Sequence, residues 1–127
     1  MAVARLVLGG ERIMTKLIAA VVIALAIAFL LFRPSGKNRI DGASARQLVK
    51  DGAVLLDVRT PGEFAAGHLE GAINIPVQDL GKRMTELKDK NKTVVVYCRS
   101  GARSASAAAT LESAGYTTRD LGPMSAW

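Results

Sequence analysis

Cysteine and histidine are nearly absent: the chain of 127 residues contains one of each. A single cysteine excludes a disulfide within the chain and any Cys-x-x-Cys metal or redox site. The one histidine, His68, has no cluster of candidate ligands around it, so we expect no metal and a structural, hydrogen-bonded side chain there. Aromatic residues make up only 5% of the chain, and no basic stripe is interleaved with them. Nucleic acid is therefore not an expected partner.

The chain is basic, and its charge is dispersed along the sequence. Lysine and arginine total 17 against 11 aspartate and glutamate residues, which gives a net charge of +6. Such a surface is typical of a solvated protein that tolerates anionic lipid beside it, and attraction of small anions stays open. The length allows one domain plus a tail rather than two domains.

One long apolar run stands apart from the rest of the sequence. Residues 17–32, LIAAVVIALAIAFLLF, are sixteen apolar residues between Lys16 and Arg33. A helix of this length spans roughly 24 Å, a little less than the hydrocarbon core, and the two flanking cations can extend towards the headgroups. The run predicts a transmembrane helix or signal anchor over residues 17–33, after an N-terminal tail of residues 1–16.

Two other interpretations of this run stay open, a buried core helix and a cleaved signal peptide. The first is disfavoured because the run is apolar on every face. The second lacks a good cleavage site, since the only A-x-A-like triplet, residues 43–45, lies thirteen residues beyond Phe32 and follows several cations. The basic C-terminal flank favours a single-pass protein of a bacterial-type cell membrane with a cytoplasmic domain, the more so if Met14 is the true start.

The rest of the chain alternates short apolar runs with amphipathic or small-residue segments. After a polar linker at residues 34–42, the apolar runs predict strands at 53–58, 72–76, 93–98 and 117–121. The intervening segments predict helices at 43–50, with Ser44 as the cap, and at 61–66, 78–90 and 104–114. This alternation predicts an α/β domain over residues 43–127, with a mostly parallel central sheet flanked by helices.

The stretch TVVVYCRSGARS, residues 93–104, places the only cysteine at the end of the most apolar predicted strand. Reactive groups of parallel α/β sheets gather at the C-terminal ends of strands. The tight loop that follows turns backbone N–H groups inward and leads into a helix N-terminus, and Gly101 permits the bend. Because Arg99 and Arg103 add positive charge, we expect Cys98 to be a thiolate nucleophile rather than an inert core cysteine.

The length of this loop narrows the chemistry. A phosphate-binding loop at a strand end has the spacing C-x5-R, whereas Arg103 follows Cys98 with the spacing C-x4-R. The loop is one residue too short for a tetrahedral phosphoryl group, and a smaller pocket suits one extra sulfur atom. Sulfur transfer therefore fits better than the chemistry of a small phosphatase or an arsenate reductase.

Four motifs in order carry a family resemblance: LLDVRTPGEFAAGHLEGAINIP at 55–76, VVVYCRSGARS at 94–104, AGY at 114–116 and LGPMSAW at 121–127. Together they resemble the single-domain rhodaneses, which are sulfurtransferases. The resemblance covers residues 43–127 and implies the rhodanese-like three-layer fold. The sequence departs from the pattern at Pro123, where the family commonly has glycine. It also stops at Trp127, where members usually continue into a closing helix, so we expect a trimmed domain or a very short last element.

The resemblance implies a mechanism. The Cys98 thiolate takes the outer sulfur of a small anionic donor such as thiosulfate as a persulfide, which the amides of residues 99–103 hold. A thiophilic acceptor such as cyanide or a thiol then removes the sulfur, and no cofactor is needed. The implied substrate-binding residues are Arg59, Arg99, Ser100, Gly101, Ala102 and Arg103. The alternative function is a low-turnover persulfide carrier or adaptor that docks on a membrane partner.

Other residues of the resembling motifs have structural interpretations. We expect Asp57, Arg59 and Glu63 to form an ion-pair and capping set beneath the active-site loop, and direct contact between Arg59 and the donor is the lesser alternative. Thr60 is expected to cap the helix that starts at Pro61, and Ser104 to support the loop. Trp127 is expected to be a packing residue.

Overall fold

The computed structural model describes the backbone of residues 2–31 and 38–127 and the side chains of residues 10–31 and 38–127. The chain divides into two compact units, Met1–Ser35 and Gly36–Trp127. Residues 32–37, which include Arg33 and most of the first half of the predicted linker, lie outside the described residues. The two units are described separately.

The described residues of the first unit, 2–31, form one helix, α1, from Ala2 to Leu31. Within it, Gly10–Leu31 is long and apolar enough to cross a membrane, and none of its apolar window is buried, which contradicts the interpretation as a buried core helix. Its 22 residues measure roughly 33 Å along the axis, slightly more than the hydrocarbon core. A signal sequence near an N-terminus meets the same criteria of length and composition. The candidate span begins at Gly10, seven residues before the predicted start at position 17, and the helix is continuous through residues 10–16.

Within its described residues, 38–127, the second unit contains four strands and four α-helices. Its strands are β1 (Val54–Asp57), β2 (Ile73–Asn74), β3 (Val94–Cys98) and β4 (Thr118–Pro123). Its α-helices are α2 (Gly42–Lys50), α3 (Pro61–Ala66), α4 (Leu80–Arg83) and α5 (Ala102–Ser113). Short 3-10 helices cover Val77–Asp79, Met84–Leu87 and Met124–Ala126.

The strands form one parallel sheet in the order β2-β1-β3-β4. Every residue of β3 is buried, because successive side chains point to opposite faces and both faces are covered. Val94, Val96 and Cys98 pack in a core cluster with residues of α5 and the α4 region, whereas Val95 and Tyr97 pack with residues of α2. The three layers and the parallel sheet confirm the predicted fold class.

The folded unit begins before the predicted helix at 43–50. Asp120 N donates to Asn38 O at 2.8 Å, and Ile40 N donates to Asp120 O at 3.0 Å, so residues 38–40 pair with β4. Asp41 is the N-cap of α2, and its side chain accepts a hydrogen bond from Ser44 N at 2.7 Å. The prediction that Ser44 caps this helix is therefore wrong. The helix begins earlier in the sequence, and the carboxylate of Asp41 binds the backbone N–H of Ser44 in its first turn.

The predicted helix at 78–90 is also wrong in detail. It is divided into a 3-10 turn, the four-residue α4 and a second 3-10 turn that ends at Leu87. Leu80 and Leu87 are buried as expected, but Gly81 weakens the helix and Lys88, at φ 57°, ends it. Anchoring of the two leucines in the core, rather than helix propensity, holds this segment.

The predicted helix at 104–114 begins two residues earlier than expected. Gly101 is its N-cap in the left-handed conformation, at φ 101°, and α5 starts at Ala102. The loop between β3 and α5 therefore consists of residues 99–101 alone. This shortening brings the N-terminus of α5 directly against the end of β3.

Candidate active site

Cys98 ends β3 on the face that α5 covers, and its side chain is fully buried. Its Sγ accepts hydrogen bonds from Gly101 N at 3.0 Å and from Ser104 N at 3.4 Å. Both amides belong to the capping residue and first turn of α5, where the helix dipole is positive. The sulfur is thus held at a site that favours negative charge.

The hydroxyl of Ser104 forms a hydrogen bond to the loop that follows β3. Its Oγ donates to Gly101 O at 3.0 Å, and the whole residue is buried. Gly101 O also accepts from Ala105 N at 3.2 Å, so the serine hydroxyl adds a second hydrogen bond to the carbonyl of the capping residue. Ser104 therefore fixes the two amides that face Cys98 Sγ.

A buried ion pair lies at the end of the neighbouring strand β1. Arg59 Nη2 lies 2.7 Å from Asp57 Oδ2, and Arg59 Nε lies 3.0 Å from Asp57 Oδ1. The same Nη2 donates to Gly67 O at 2.7 Å. Asp57 is fully buried and Arg59 is 5% exposed. The hydrogen bonds with the Asp57 carboxylate raise the pKa of Arg59, so this guanidinium is a permanently charged brace between β1 and the turn after α3.

A second ion pair joins α3 to α5. Arg103 donates to both carboxylate oxygens of Glu63, at 2.7 and 3.0 Å. Glu63 also accepts from Thr60 N, which completes a capping box at the start of α3. The Arg103 hydrogen bonds, followed by that of Thr60, lower the pKa of Glu63 to about 2. The Glu63 hydrogen bonds in turn raise the pKa of Arg103, to which a charge on Cys98 adds a smaller contribution.

A pocket of about 390 Å³ opens at the same end of the sheet. The residues that line it are Arg59, Glu63, Ala66, Gly67, Arg99, Met124 and Ser125. Arg99 is exposed, and among the residues that the structure describes it has no ion-pair partner. The pocket therefore offers one uncompensated cation on a partly apolar wall, which suits a small anion.

The sequence pattern of the rhodanese-like domain matches residues 41–127. The chain belongs to the rhodanese-like family. A sulfurtransferase of Allochromatium vinosum is 43% identical over 81 residues, which cover 62% of this chain and 75% of that protein. Thiosulfate sulfurtransferase PspE of Escherichia coli is 44% identical over 63 residues, 49% of this chain and 61% of that protein. The solved rhodanese with anions from Escherichia coli matches with a TM-score of 0.57 at 35% identity, over 60% of this chain and 92% of that chain.

These matches confirm the predicted rhodanese-like fold and support membership of a sulfurtransferase family. In the rhodanese-like domain, the residues of the predicted site lie at one end of the sheet, around the β3–α5 loop. Asp57 and Arg59 pair as predicted, and the capping set of Thr60 and Glu63 forms as predicted. Arg103, by contrast, is bound to Glu63 and does not present a separate charge.

Some predicted site residues make no side-chain contact with the sulfur. Ser100 and Ala102 are exposed on either side of the buried Gly101. Of the loop and first-turn amides, those of Gly101 and Ser104 hydrogen-bond Cys98 Sγ in the part of the chain that the structure describes. The rhodanese-like loop thus holds a thiol through two amides.

Several contributions to this site were missed from the sequence, including those of Ala66 and Gly67 in the pocket wall. Met124 and Ser125 line the pocket from the 3-10 turn after β4. Arg39 lies with its guanidinium against Gly122 and next to Gly101. Met124 and Ser125 follow the C-terminal end of a predicted strand, and this position in the sequence could have indicated that they lie near the site. Arg39 precedes the matched motifs, and only its tertiary pairing with β4 brings it near the loop.

The remaining residues singled out in the sequence are structural. His68 Nδ1 lies 2.8 Å from Phe64 O, and its ring stacks on Phe64 with centroids 3.7 Å apart, so it is hydrogen-bonded as predicted. Trp127 is half-buried against the core cluster that contains Leu121. Within residues 10–31 and 38–127, no group of three His, Cys, Asp or Glu side chains is arranged to hold a metal ion.

Proposed function

We propose that this protein is a membrane-tethered sulfurtransferase that carries sulfane sulfur as a persulfide on Cys98. The observation that supports this most directly is the pair of backbone N–H groups aimed at Cys98 Sγ. Hydrogen bonds to a sulfur anion at a helix N-terminus favour the thiolate, which is the nucleophilic form. The names of the relatives, which include thiosulfate sulfurtransferases, point to the same chemistry.

In the first half-reaction, the Cys98 thiolate attacks the outer sulfur of thiosulfate. A new S–S bond forms to Cys98, and the bond between the two thiosulfate sulfurs breaks, so that sulfite leaves with the electron pair. The persulfide keeps one negative charge on its outer sulfur. The amides of Gly101 and Ser104 are the groups best placed to stabilise that charge.

In the second half-reaction, a thiophilic acceptor attacks the outer sulfur of the persulfide. Cyanide leaves as thiocyanate, or a thiolate leaves as a new persulfide, and the electron pair of the broken S–S bond restores the Cys98 thiolate. No oxidant is consumed across the cycle. With the thiolate as the attacking form of Cys98, neither half-reaction needs a general base.

In this mechanism, Arg99 is the residue that first binds the anionic donor. Arg59 and Arg103 are each bound to a carboxylate, so most of their charge is compensated before a donor arrives. Arg99 is exposed on the pocket wall and lacks an ion-pair partner among the described residues. We assign it the first contact with an anionic donor, and the paired Arg59 forms part of the pocket wall.

The test uses the full-length protein in detergent. Incubation with thiosulfate should add one sulfur atom to the intact mass, and cyanide should remove it catalytically as thiocyanate. Cys98→Ser should abolish both steps. A stable adduct without turnover would instead support the persulfide carrier, and no adduct with thiosulfate, mercaptopyruvate or polysulfide would overturn the sulfur-transfer proposal.

We propose that a span within Gly10–Leu31 anchors the domain, with the domain in the cytoplasm. The exposed apolar surface of α1 supports the anchor. The protein should stay in the membrane fraction after carbonate extraction, and release of a shortened soluble chain would indicate a signal peptide instead. Orientation is tested with a probe outside the active site, Ser106→Cys in a Cys98→Ser background, because Ser106 is exposed. Labelling of intact cells by a membrane-impermeant maleimide would contradict the cytoplasmic orientation.

A further inference from the structure

Arg39 is a charged side chain at the active-site end of the sheet that the mechanism above does not use. It belongs to the segment 38–40, which pairs with β4 before α2 begins. Its guanidinium lies against Gly122 and beside Gly101, the cap of α5. Building on the proposed function, we propose that Arg39 is a positioning residue that holds positive charge on the β4 side of the Cys98 loop and draws anionic reactants to it.

The backbone on both sides of Arg39 is fixed. Asn38 and Ile40, which flank Arg39 in the sequence, are both hydrogen-bonded to the backbone of Asp120, at 2.8 and 3.0 Å. These bonds fix the backbone of Arg39 beside β4 and so determine where its side chain begins. The residue therefore acts as part of the rhodanese-like domain and not as part of a loose tether.

Gly122 makes room for the guanidinium because it has no side chain. Its φ of 82° lies in the left-handed region, and a Cβ at this position would lie 2.8 Å from Arg39 Nη1 and closer still to Nη2. Gly122 N donates to Asp120 Oδ1 at 2.8 Å, which fixes the backbone beneath the guanidinium. Any larger residue at this position would displace Arg39.

The guanidinium is close enough to Cys98 to act on an anion there. A Cβ on Gly101 would lie 3.5 Å from Arg39 Nη1, and Gly101 N lies 3.0 Å from Cys98 Sγ. With standard covalent geometry, these distances place Nη1 within about 9 Å of the sulfur. At physiological ionic strength the Debye length is about 8 Å, so salt weakens this interaction without abolishing it.

The charge of Arg39 is not cancelled by an ion pair among the residues that the structure describes. Arg59 and Arg103 are paired on the β1 and α3 side of the loop. Asp120 is the carboxylate on the β4 side, and its Oδ1 is already bound to Gly122 N. Arg39 therefore complements Arg99: one cation lies on the pocket wall and the other on the β4 side of the loop.

The test compares two alkylating reagents of similar size, anionic iodoacetate and neutral iodoacetamide, on the full-length protein in detergent. Both need the same Cys98 thiolate and the same access to it, so the ratio of their rates reports the local potential alone. Arg39→Gln should lower the iodoacetate-to-iodoacetamide ratio about three-fold, and Arg39→Met should do the same. Arg39→Lys should keep the ratio near that of the original protein.

Lys92→Gln is the matched control, because it removes one positive charge at the opposite end of β3. Lys92 is exposed, and its neutralisation should leave the ratio unchanged. The proposal is overturned if Arg39→Gln and Arg39→Met behave like Lys92→Gln, or if Arg39→Lys lowers the ratio as much as they do. Unchanged unfolding temperatures would show that the neutral variants are folded.

This test does not depend on sulfur transfer. If the protein moves no sulfur from any donor, the proposed function fails while the alkylation ratio still decides the role of Arg39. If the protein is active with thiosulfate, Arg39→Gln should raise KM for thiosulfate about three-fold and leave kcat nearly unchanged. Loss of kcat at constant KM would contradict a role in attracting the donor.

Discussion

The two ion pairs beside the active-site loop have the same chemistry and different surroundings. Both join an arginine to a carboxylate with a shortest N–O distance of 2.7 Å. The side chains of the pair Arg59–Asp57 are 6% and 0% exposed, whereas those of the pair Arg103–Glu63 are 33% and 26% exposed. Water screens the second pair and is excluded from the first.

This difference assigns the two pairs different tasks. Removing one partner of a buried pair leaves an uncompensated charge without solvent, so the cost falls on the fold. Removing one partner of a half-exposed pair leaves a solvated charge, so the fold tolerates it and the local potential changes. The pair on β1 therefore holds the sheet end in place, while the pair between α3 and α5 sets how much positive charge reaches the pocket.

The largest effect should follow from breaking the buried pair. Arg59→Met removes the guanidinium and leaves the Asp57 carboxylate buried, which should lower the free energy of unfolding by about 3–5 kcal/mol. Urea unfolding followed by the fluorescence of Trp127, the only tryptophan, measures the change.

The control for this prediction removes both charges. Asp57→Asn combined with Arg59→Met eliminates the unpaired carboxylate, so the double variant should be more stable than Arg59→Met alone. If Arg59→Met is as stable as the original protein, then the buried pair does not brace the end of β1 and the contrast between the two pairs is lost.

Breaking the half-exposed pair should alter donor binding more than stability. Glu63→Gln frees the Arg103 guanidinium, so KM for thiosulfate should fall about three-fold. Arg103→Gln frees the Glu63 carboxylate beside the pocket, so KM should rise by a similar factor. Steady-state kinetics with thiosulfate and cyanide measure both changes.

The opposite expected changes in KM distinguish an electrostatic role of the pair from a structural one. If both substitutions raise KM or lower kcat together, the pair acts by positioning α3 against α5. Melting temperatures of the two variants, measured in parallel, show how much of any change comes from a weakened fold.

Local spacing was enough to predict the parts of the site that neighbours in sequence build. The cap of α3 at Thr60, its Glu63 and the placement of Cys98 at a strand end all follow from short-range patterns. The Arg103–Glu63 pair joins residues 40 positions apart, so the sequence suggested a charged Arg103 and not a compensated one. Arg39 reaches the site only through its pairing with β4, whereas Met124 follows the end of a predicted strand.

The same limit explains the errors in the helices. Asp41 and Ser44 are both good capping residues, and only the pairing of residues 38–40 with β4 decides which one starts α2. The segment after Pro76 has helical spacing, but burial of Leu80 and Leu87 determines where it bends. In both cases local propensity allowed more than one helix boundary, and a tertiary contact determined which one forms.

A smaller effect should appear in the pH dependence of stability. The pKa of Glu63 is lowered from 4.5 to about 2, so its pairing stabilises the folded state fully above pH 4.5. That stabilisation should decline as the pH falls and disappear as it passes about 2. The difference in melting temperature between the original protein and Glu63→Gln should therefore shrink over this range. The pKa values of Asp41 and Glu86 are lowered as well, but both proteins share them. A difference that stays constant down to pH 2 would contradict the pairing.

The smallest effect is expected for a third ion pair, which lies away from the loop. Arg83 Nε lies 2.6 Å from Glu86 Oε2, with side chains 41% and 51% exposed. Arg83→Gln should change neither KM for thiosulfate nor the iodoacetate-to-iodoacetamide ratio, and the melting temperature should change little because an exposed pair contributes little to stability. It removes the same charge as Arg103→Gln and therefore tests whether net charge alone alters donor binding. An equal rise of KM in both variants would show that the effect is general attraction by a basic protein, and the special position of the Arg103–Glu63 pair would then explain nothing.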